Sequence, residues 1–170
     1  MEKNLNVSDI SEVNEKYKDI FDSLDELIVV IDPDLKIVAP NKTALEILKN
    51  EGMEESNIIN HPALDVLPIV DKDQVRNELN EILKRGGRFE RDAIYEFKSG
   101  KIYGKTKGIP IMKNDMIGGI LILVRDVTKE KIAEDLLKKS LDRFNEIARI
   151  AGEWIWETDN NEIYSYSSDD

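Results

Sequence analysis

The sequence has no cysteine and a single histidine, His61. Without Cys there is no disulfide, no thiolate nucleophile and no Cys-ligated zinc or iron–sulfur site. One loop histidine, preceding Pro62, cannot be argued into a Ser-His-Asp arrangement, and no catalytic or metal residue is expected. Long apolar runs are also missing. The longest nearly apolar stretch, Met116 to Val124, is about half of what a membrane helix needs, and Met1-Glu2-Lys3-Asn4 leads into mixed polar sequence instead of a secretory signal. A soluble, cytoplasmic piece is expected, with no membrane contact. Positive charge is scarce: 24 Lys and Arg stand against 35 Asp and Glu, a net charge of −11, which repels nucleic acid phosphates and disfavours nucleic acid as a partner. No Gly-rich phosphate loop follows a strand and opens a helix.

The charge that is present is uneven. Residues 1–70 carry 6 basic and 15 acidic side chains, residues 71–128 carry 12 and 9, and residues 129–170 carry 6 and 11. The locally basic middle reads either as a solvated strand face or as a site for an anionic ligand or an acidic partner surface. At 170 residues with 41% hydrophobic side chains, the chain accommodates one ordinary core plus appendages.

Apolar residues Ile10, Val13, Tyr17, Ile20, Leu24 and Leu27 recur at heptad spacing, and Asp9 with Glu12 fits a capping box, so a helix is expected from about residue 9 or 10 to 25. Leu27 to Ile31 is a β-branched run entering a turn at Asp32-Pro33-Asp34, and Leu35 to Ala39 returns as a second strand. Asn41 is expected to cap a short helix, Lys42 to Leu48. Asn50 to Pro68 reads as irregular chain with short helical turns lying over the sheet. Asp71 and Gln74 form a second capping-box candidate, which accounts for Asp71 and Asp73 without a metal, before Val75, Leu79, Ile82 and Leu83 at helical spacing and a stop at Gly86-Gly87. Arg88 to Phe97 alternates at strand period, Ser99-Gly100 makes a turn, and Ile102 to Met112 and Met116 to Val127 complete two more strands. Neither strand group buries enough alone, so the expected fold is α+β: one five-stranded antiparallel sheet with helices over one face, flanked by amphipathic terminal helices. Such a sheet under helices encloses a ligand-sized pocket. Arg91 shares strand parity with Phe89, Tyr95 and Phe97; if that face is interior, Arg91 needs an anion, and Arg91 with Tyr95 is the candidate ligand clamp.

From Tyr17 to Thr128 the chain resembles a PAS domain. The resemblance rests on Tyr17 to Leu24 with Ile28 to Asp34 as opening helix and hairpin, on Asn41 at the start of the third element, and on Gly118 to Thr128 as last strand with a terminal Asp126-Val127-Thr128 motif. It implies that Asp126 ties the sheet to the outgoing helix, with Thr128 capping a helix from Lys129, so that these two residues couple the core to output. A haem-binding relative takes its axial His from the long helix, here Asp71 to Arg85, which has none; a covalent flavin or similar adduct needs a Cys. The cofactor stays unknown, a small molecule or flavin held without a bond remaining open. A shorter resemblance, Phe144 to Asp159 with Ile163 to Ser167, looks like the start of a second PAS domain. The expected organisation is thus 1–26 dimerisation helix, 27–128 sensor domain, 129–151 signalling helix and 152–170 truncated second domain. Ile10, Val13, Tyr17, Ile20, Leu24, Leu137, Phe144 and Ile147 are the expected homodimer contacts. The expected function is a non-catalytic sensor and dimerisation module of a sensory histidine kinase or similar regulator, working on an output domain in the same chain. The kinase phosphoacceptor and ATP-binding boxes are missing. The alternatives are a ligand-free interaction module and a noncovalent flavin domain.

Overall fold

The computed structural model describes residues 17–151, 156–158 and 164–167. The expected Asp9–Glu12 capping box and the seam residues Ile10 and Val13 lie outside them. The chain divides into two units, Met1–Val127 and Thr128–Asp170.

In the first unit, helix α1 (residues 17–22) precedes strands β1 (Leu27–Ile31) and β2 (Ile37–Pro40). Asp32 makes the hairpin: its Oδ1 accepts from the backbone N–H of Asp34 at 3.0 Å and of Lys36 at 2.8 Å, while Leu35 takes the left-handed conformation at φ 62°. Helices α2 (Lys42–Asn50), α3 (Ala63–Val66) and α4 (Lys72–Arg85) follow, with a 3₁₀ turn at Glu55–Asn57 between the first two. Strands β3 (Phe89–Phe97), β4 (Gly100–Lys113) and β5 (Met116–Asp126) close the sheet in the order β2-β1-β5-β4-β3, every neighbour antiparallel. The two strands before the helices and the three after them therefore share one sheet, as their separate insufficiency required.

Strand parity decides the layers. Leu27, Val29 and Ile31 of β1, Ala93 and Tyr95 of β3 and Ile120, Ile122 and Val124 of β5 point inward to Ala44 and Leu48 of α2, Leu64 and Val66 of α3 and Val75, Leu79 and Ile82 of α4. Beside the aromatic rings of β3, β4 has glycines opposite Ala93 and Phe89. A Cβ on Gly104 would stand 2.6 Å from the Tyr95 ring, and one on Gly108 would stand 2.4 Å from that of Phe89. The glycines thus make room for aromatics from the neighbouring strand. The outer edge of β3 is covered by the segment before α4, with Val70 N–H donating to Ile94 O and Glu96 N–H to Pro68 O, so the sheet presents less unpaired backbone there.

Two local expectations need correction. The β3–β4 turn is Lys98-Ser99, with Gly100 already paired to Phe97. Asp71 sits at the N-cap of α4 but makes no side-chain cap bond; its carboxylate is drawn instead to Arg91 at 3.5 Å. The carboxylate thus faces the guanidinium instead of the backbone N–H groups of the first turn.

The second unit holds α5 (Thr128–Ala151) and a short antiparallel hairpin, β6 (Trp156–Thr158) with β7 (Tyr164–Ser167). The helix begins at Thr128, one residue before the expected Lys129. Leu137, Phe144 and Ile147 are exposed along it, as are Tyr17, Ile20 and Leu24 in the first unit.

Candidate functional site

A small cavity opens at the inner face of the sheet beside α2. Its walls are Leu27, Ile47, Phe97, Ile102, Val124 and the ring of Tyr95, and its mouth carries the carboxylates of Asp25 and Asp126. Three features of the sequence build it. The β-branched run of β1 sets Leu27 inward, the parity of β3 sets Tyr95 and Phe97 side by side with ring centroids 6.3 Å apart, and Gly104 leaves the space behind them. Its volume is about 80 Å³, well below the ~300–1,000 Å³ of clefts that take drug-sized ligands.

Tyr95 is the polar group of the wall. Its hydroxyl is 2.8 Å from that of Thr106, and both are buried. Burial holds the phenol above its ordinary pKa of 10.0, with the Thr106 hydrogen bond and the positive charge of Arg91 pulling the other way. Sequence reading missed Thr106. The available signal was its inward parity between Gly104 and Gly108, where an isolated hydroxyl on a small-residue face needs a partner.

Arg91 is not among the residues that line the cavity bordered by Tyr95. Arg91 does point to the inner side, whose parity it shares with Tyr95, and its side chain is only 16% exposed. Yet the anion it requires is supplied from within the domain: Asp71 at 3.5 Å and Glu78 at 3.4 Å, both from the α4 region. Arg91 is thereby a strap between β3 and α4, while Tyr95 lines the cavity.

Asn41 is fully buried between α1, β1 and α2 and its side chain bonds five backbone groups. Its Oδ1 accepts from Ile28 N–H at 3.0 Å and from Ala44 N–H at 2.9 Å. Its Nδ2 donates to the carbonyls of Phe21, Leu24 and Glu26, the last at 2.9 Å. Lys42 N–H donates to Asp22 Oδ1 and Thr43 Oγ1 to Leu24 O at the same junction. The cap role of Asn41 was expected; its reach to α1 and β1 was not, because those bonds span up to 20 residues.

At the same end of the sheet, where β5 finishes beside the start of β1, Asp126 is the last residue of β5 and lines the cavity. The next residue, Val127, donates to Tyr103 O at 2.8 Å, and Thr128 opens α5. His61 is exposed, its Nδ1 3.1 Å from Ile59 O. Among the described residues, no group of His, Asp and Glu could hold a metal ion.

With this geometry the comparisons agree. The family model of the PAS fold matches residues 21–132. This chain belongs to the PAS family. Its PAS domain is similar in fold to the PAS domain of a protein from Colwellia psychrerythraea at 23% identity, TM-score 0.56, over 69% of this chain and 98% of that one. It is also similar to the PAS domain of an HTR-like protein from Haloarcula marismortui, at 16% identity, TM-score 0.55, over 70% and 95% of the two chains. A third similar structure is the PAS domain of the RpfR quorum-sensing receptor from Cronobacter turicensis in complex with C12:0, at 14% identity, TM-score 0.52, over 62% and 97%. Among curated proteins, none matches the chain. Among the described residues, no helix is long and apolar enough to cross a membrane.

Proposed function

We propose that this chain is the sensing and dimerising part of a cytoplasmic signalling protein, a sensory histidine kinase or similar regulator, in which occupancy of the cavity shifts the end of β5 and with it α5. The observation that carries the reading is the position of Asp126: it belongs at once to the cavity mouth and to the end of β5, two residues before the first of α5. A guest that displaces Asp126 acts on the helix start directly. A coupling of about 1–3 kcal/mol changes output several-fold or more. A PAS domain of similar fold, that of Cronobacter turicensis, is found in complex with C12:0; a guest here has to fit a cavity of about 80 Å³. Dimerisation through the terminal helices is supported by the exposed Tyr17, Ile20 and Leu24 near one end and Leu137, Phe144 and Ile147 near the other, where apolar side chains at near-heptad spacing suit a partner helix. Residues 1–26, 27–128 and 129–151 are then input helix, sensor and signalling helix, and 152–170 the start of a second PAS domain.

Native mass spectrometry of the purified chain, with an absorbance spectrum and sedimentation, tests this. A retained small molecule lost on Asp126→Asn or Tyr95→Phe, in a dimer, supports the reading; a ligand-free monomer overturns it. The second reading, an interaction module filled by its own side chains, is favoured by the cavity volume of about 80 Å³; that volume also disfavours a flavin, whose ring system needs a larger chamber.

A further inference from the structure

The β4–β5 hairpin overruns the helix that lies on it. β4 has 14 residues and β5 11, whereas α4 ends at Arg85 and the chain turns away through Gly86 and Gly87 at φ 72° and 88°. A Cβ on Gly86 would lie 4.0 Å from Ile117 Cδ1, which marks where the helix layer stops against the hairpin. Beyond it, apolar surface continues uncovered by any other described residue. Met112, which pairs with Ile117 across the hairpin, is 59% exposed, and Met116 is 71% exposed. With Pro110, Ile117 and Leu83 they floor an open groove of about 570 Å³.

The rim is cationic. Lys84 and Arg85 line the groove from the last turn of α4, and Arg88 and Lys113 adjoin it in sequence. Of these four only Lys84 and Arg85 line the groove, Asp115 lines it too, and Glu81 engages Arg85 at 3.2 Å, so the lining itself has a small cationic excess. Lys84 and Arg85 also offset the negative end of the helix, but Arg88 and Lys113 lie outside any helix and that role does not explain them. Methionine thioethers adapt to irregular apolar partners. A methionine floor inside a basic rim is complementary to apolar side chains flanked by carboxylates. The net charge of −11 on the whole chain opposes extended polyanions, whose charge is felt beyond the rim.

We propose that this groove docks an acidic amphipathic segment of a partner protein. Fluorescence anisotropy with the full chain tests it, using two labelled synthetic helix-forming peptides with Leu on one face and either Glu or Lys on the other. The Glu peptide binds saturably and the Lys peptide binds roughly tenfold or more weakly. Lys84→Glu combined with Lys113→Glu reverses that preference, and Met116→Glu, at an exposed position that leaves the core intact, abolishes binding. Methyl shifts of Met112 and Met116 in the complex locate it. Equal affinity for the two peptides, or indifference to the charge reversal, overturns the proposal. So does concentration-dependent self-association that Met116→Glu removes, which assigns the groove to a second copy of this chain.

Discussion

Helices α2 and α4 cover the same face of one sheet and both bury apolar side chains against it, Ala44 and Leu48 from one and Val75, Leu79 and Ile82 from the other, yet their polar attachments differ. α2 is fixed at its first turn by Asn41, whose buried amide bonds three other segments. α4 is held by Val75, Leu79 and Ile82 pressed into the core, with Arg91 strapping its exposed side to β3. Apolar burial is non-directional, so it fixes how close a helix lies but only loosely where along the sheet. Hydrogen bonds to backbone fix the position, since a shift leaves buried donors and acceptors without partners. The cavity lies beside α2, the helix whose placement is the stricter. A cavity wall that must hold its shape is better hung from the directional anchor.

The largest expected effect breaks that anchor. Asn41→Ala leaves its three closest partners, the N–H groups of Ile28 and Ala44 and the carbonyl of Glu26, without their amide partner. At ~1 kcal/mol or more for each buried group left unsatisfied, a loss of about 3 kcal/mol of stability is expected in urea unfolding. A loss below about 1 kcal/mol would show that water replaces the amide and that the anchor is not what sets α2.

Second is Gly104→Ala. Its Cβ would meet the Tyr95 ring at 2.6 Å and a Val124 methyl at 2.8 Å, contacts that force the ring or the strand to move. Overpacking of this kind costs about 1–3 kcal/mol, and the ring's retreat closes the cavity; a thermal melt checks the first and ligand titration the second. A neutral substitution would mean that the cavity wall yields, contrary to the rigid placement argued for it.

Third, Tyr95→Phe removes the bond to Thr106 and leaves that hydroxyl buried, at about 1 kcal/mol. The pH dependence has a definite sign. Burial raises the phenol's pKa in the folded state above the ordinary 10.0, so the unfolded chain gives up this proton first. The contribution is present in full below pH 10.0 and is lost as pH rises through the higher folded value. Stability measured across that window therefore falls more steeply for the native sequence than for Tyr95→Phe. Parallel curves would show that Tyr95 titrates as it does in the unfolded chain.

Periodicity carried the sheet and the helices because each inward position repeats a local rule: alternation in β3 and β5, helical spacing in α4, positive-φ turns at Asn114-Asp115. What it could not carry were the pairings between distant elements. Thr106 meets Tyr95 through the β3–β4 register, in which Thr106 itself stands opposite Arg91. Asn41 reaches Phe21 across 20 residues. Asp71 was assigned to its own helix because a capping box is a local pattern, whereas its carboxylate faces a guanidinium on the next strand at 3.5 Å. Polar side chains answer to the whole fold, and the parity that Arg91 shares with Phe89 and Tyr95 decided neither which face is interior nor whether its anion is an internal carboxylate or a ligand's.

That distinction defines the smallest expected effect, Arg91→Met. The substitution keeps the aliphatic stem against the core and removes only the charge. Asp71 is 55% exposed and Glu78 26%, so both carboxylates regain water when the guanidinium is lost, and ion pairs of this exposure contribute about 0–1 kcal/mol. The loss should therefore be under about 1 kcal/mol at low salt and shrink further at high salt, where screening weakens the native pair but cannot affect Met. Asp71→Asn measured singly and with Arg91→Met closes a cycle whose coupling term isolates this pair. A strap predicts a small, salt-sensitive coupling and unchanged ligand retention. A loss of several kcal/mol indifferent to salt would instead make Arg91 an anchor as strict as Asn41, and the contrast between the two helices would fail. Loss of a bound anion on Arg91→Met, with stability intact, would return Arg91 to the ligand and show that Asp71 and Glu78 hold it only while the cavity is empty.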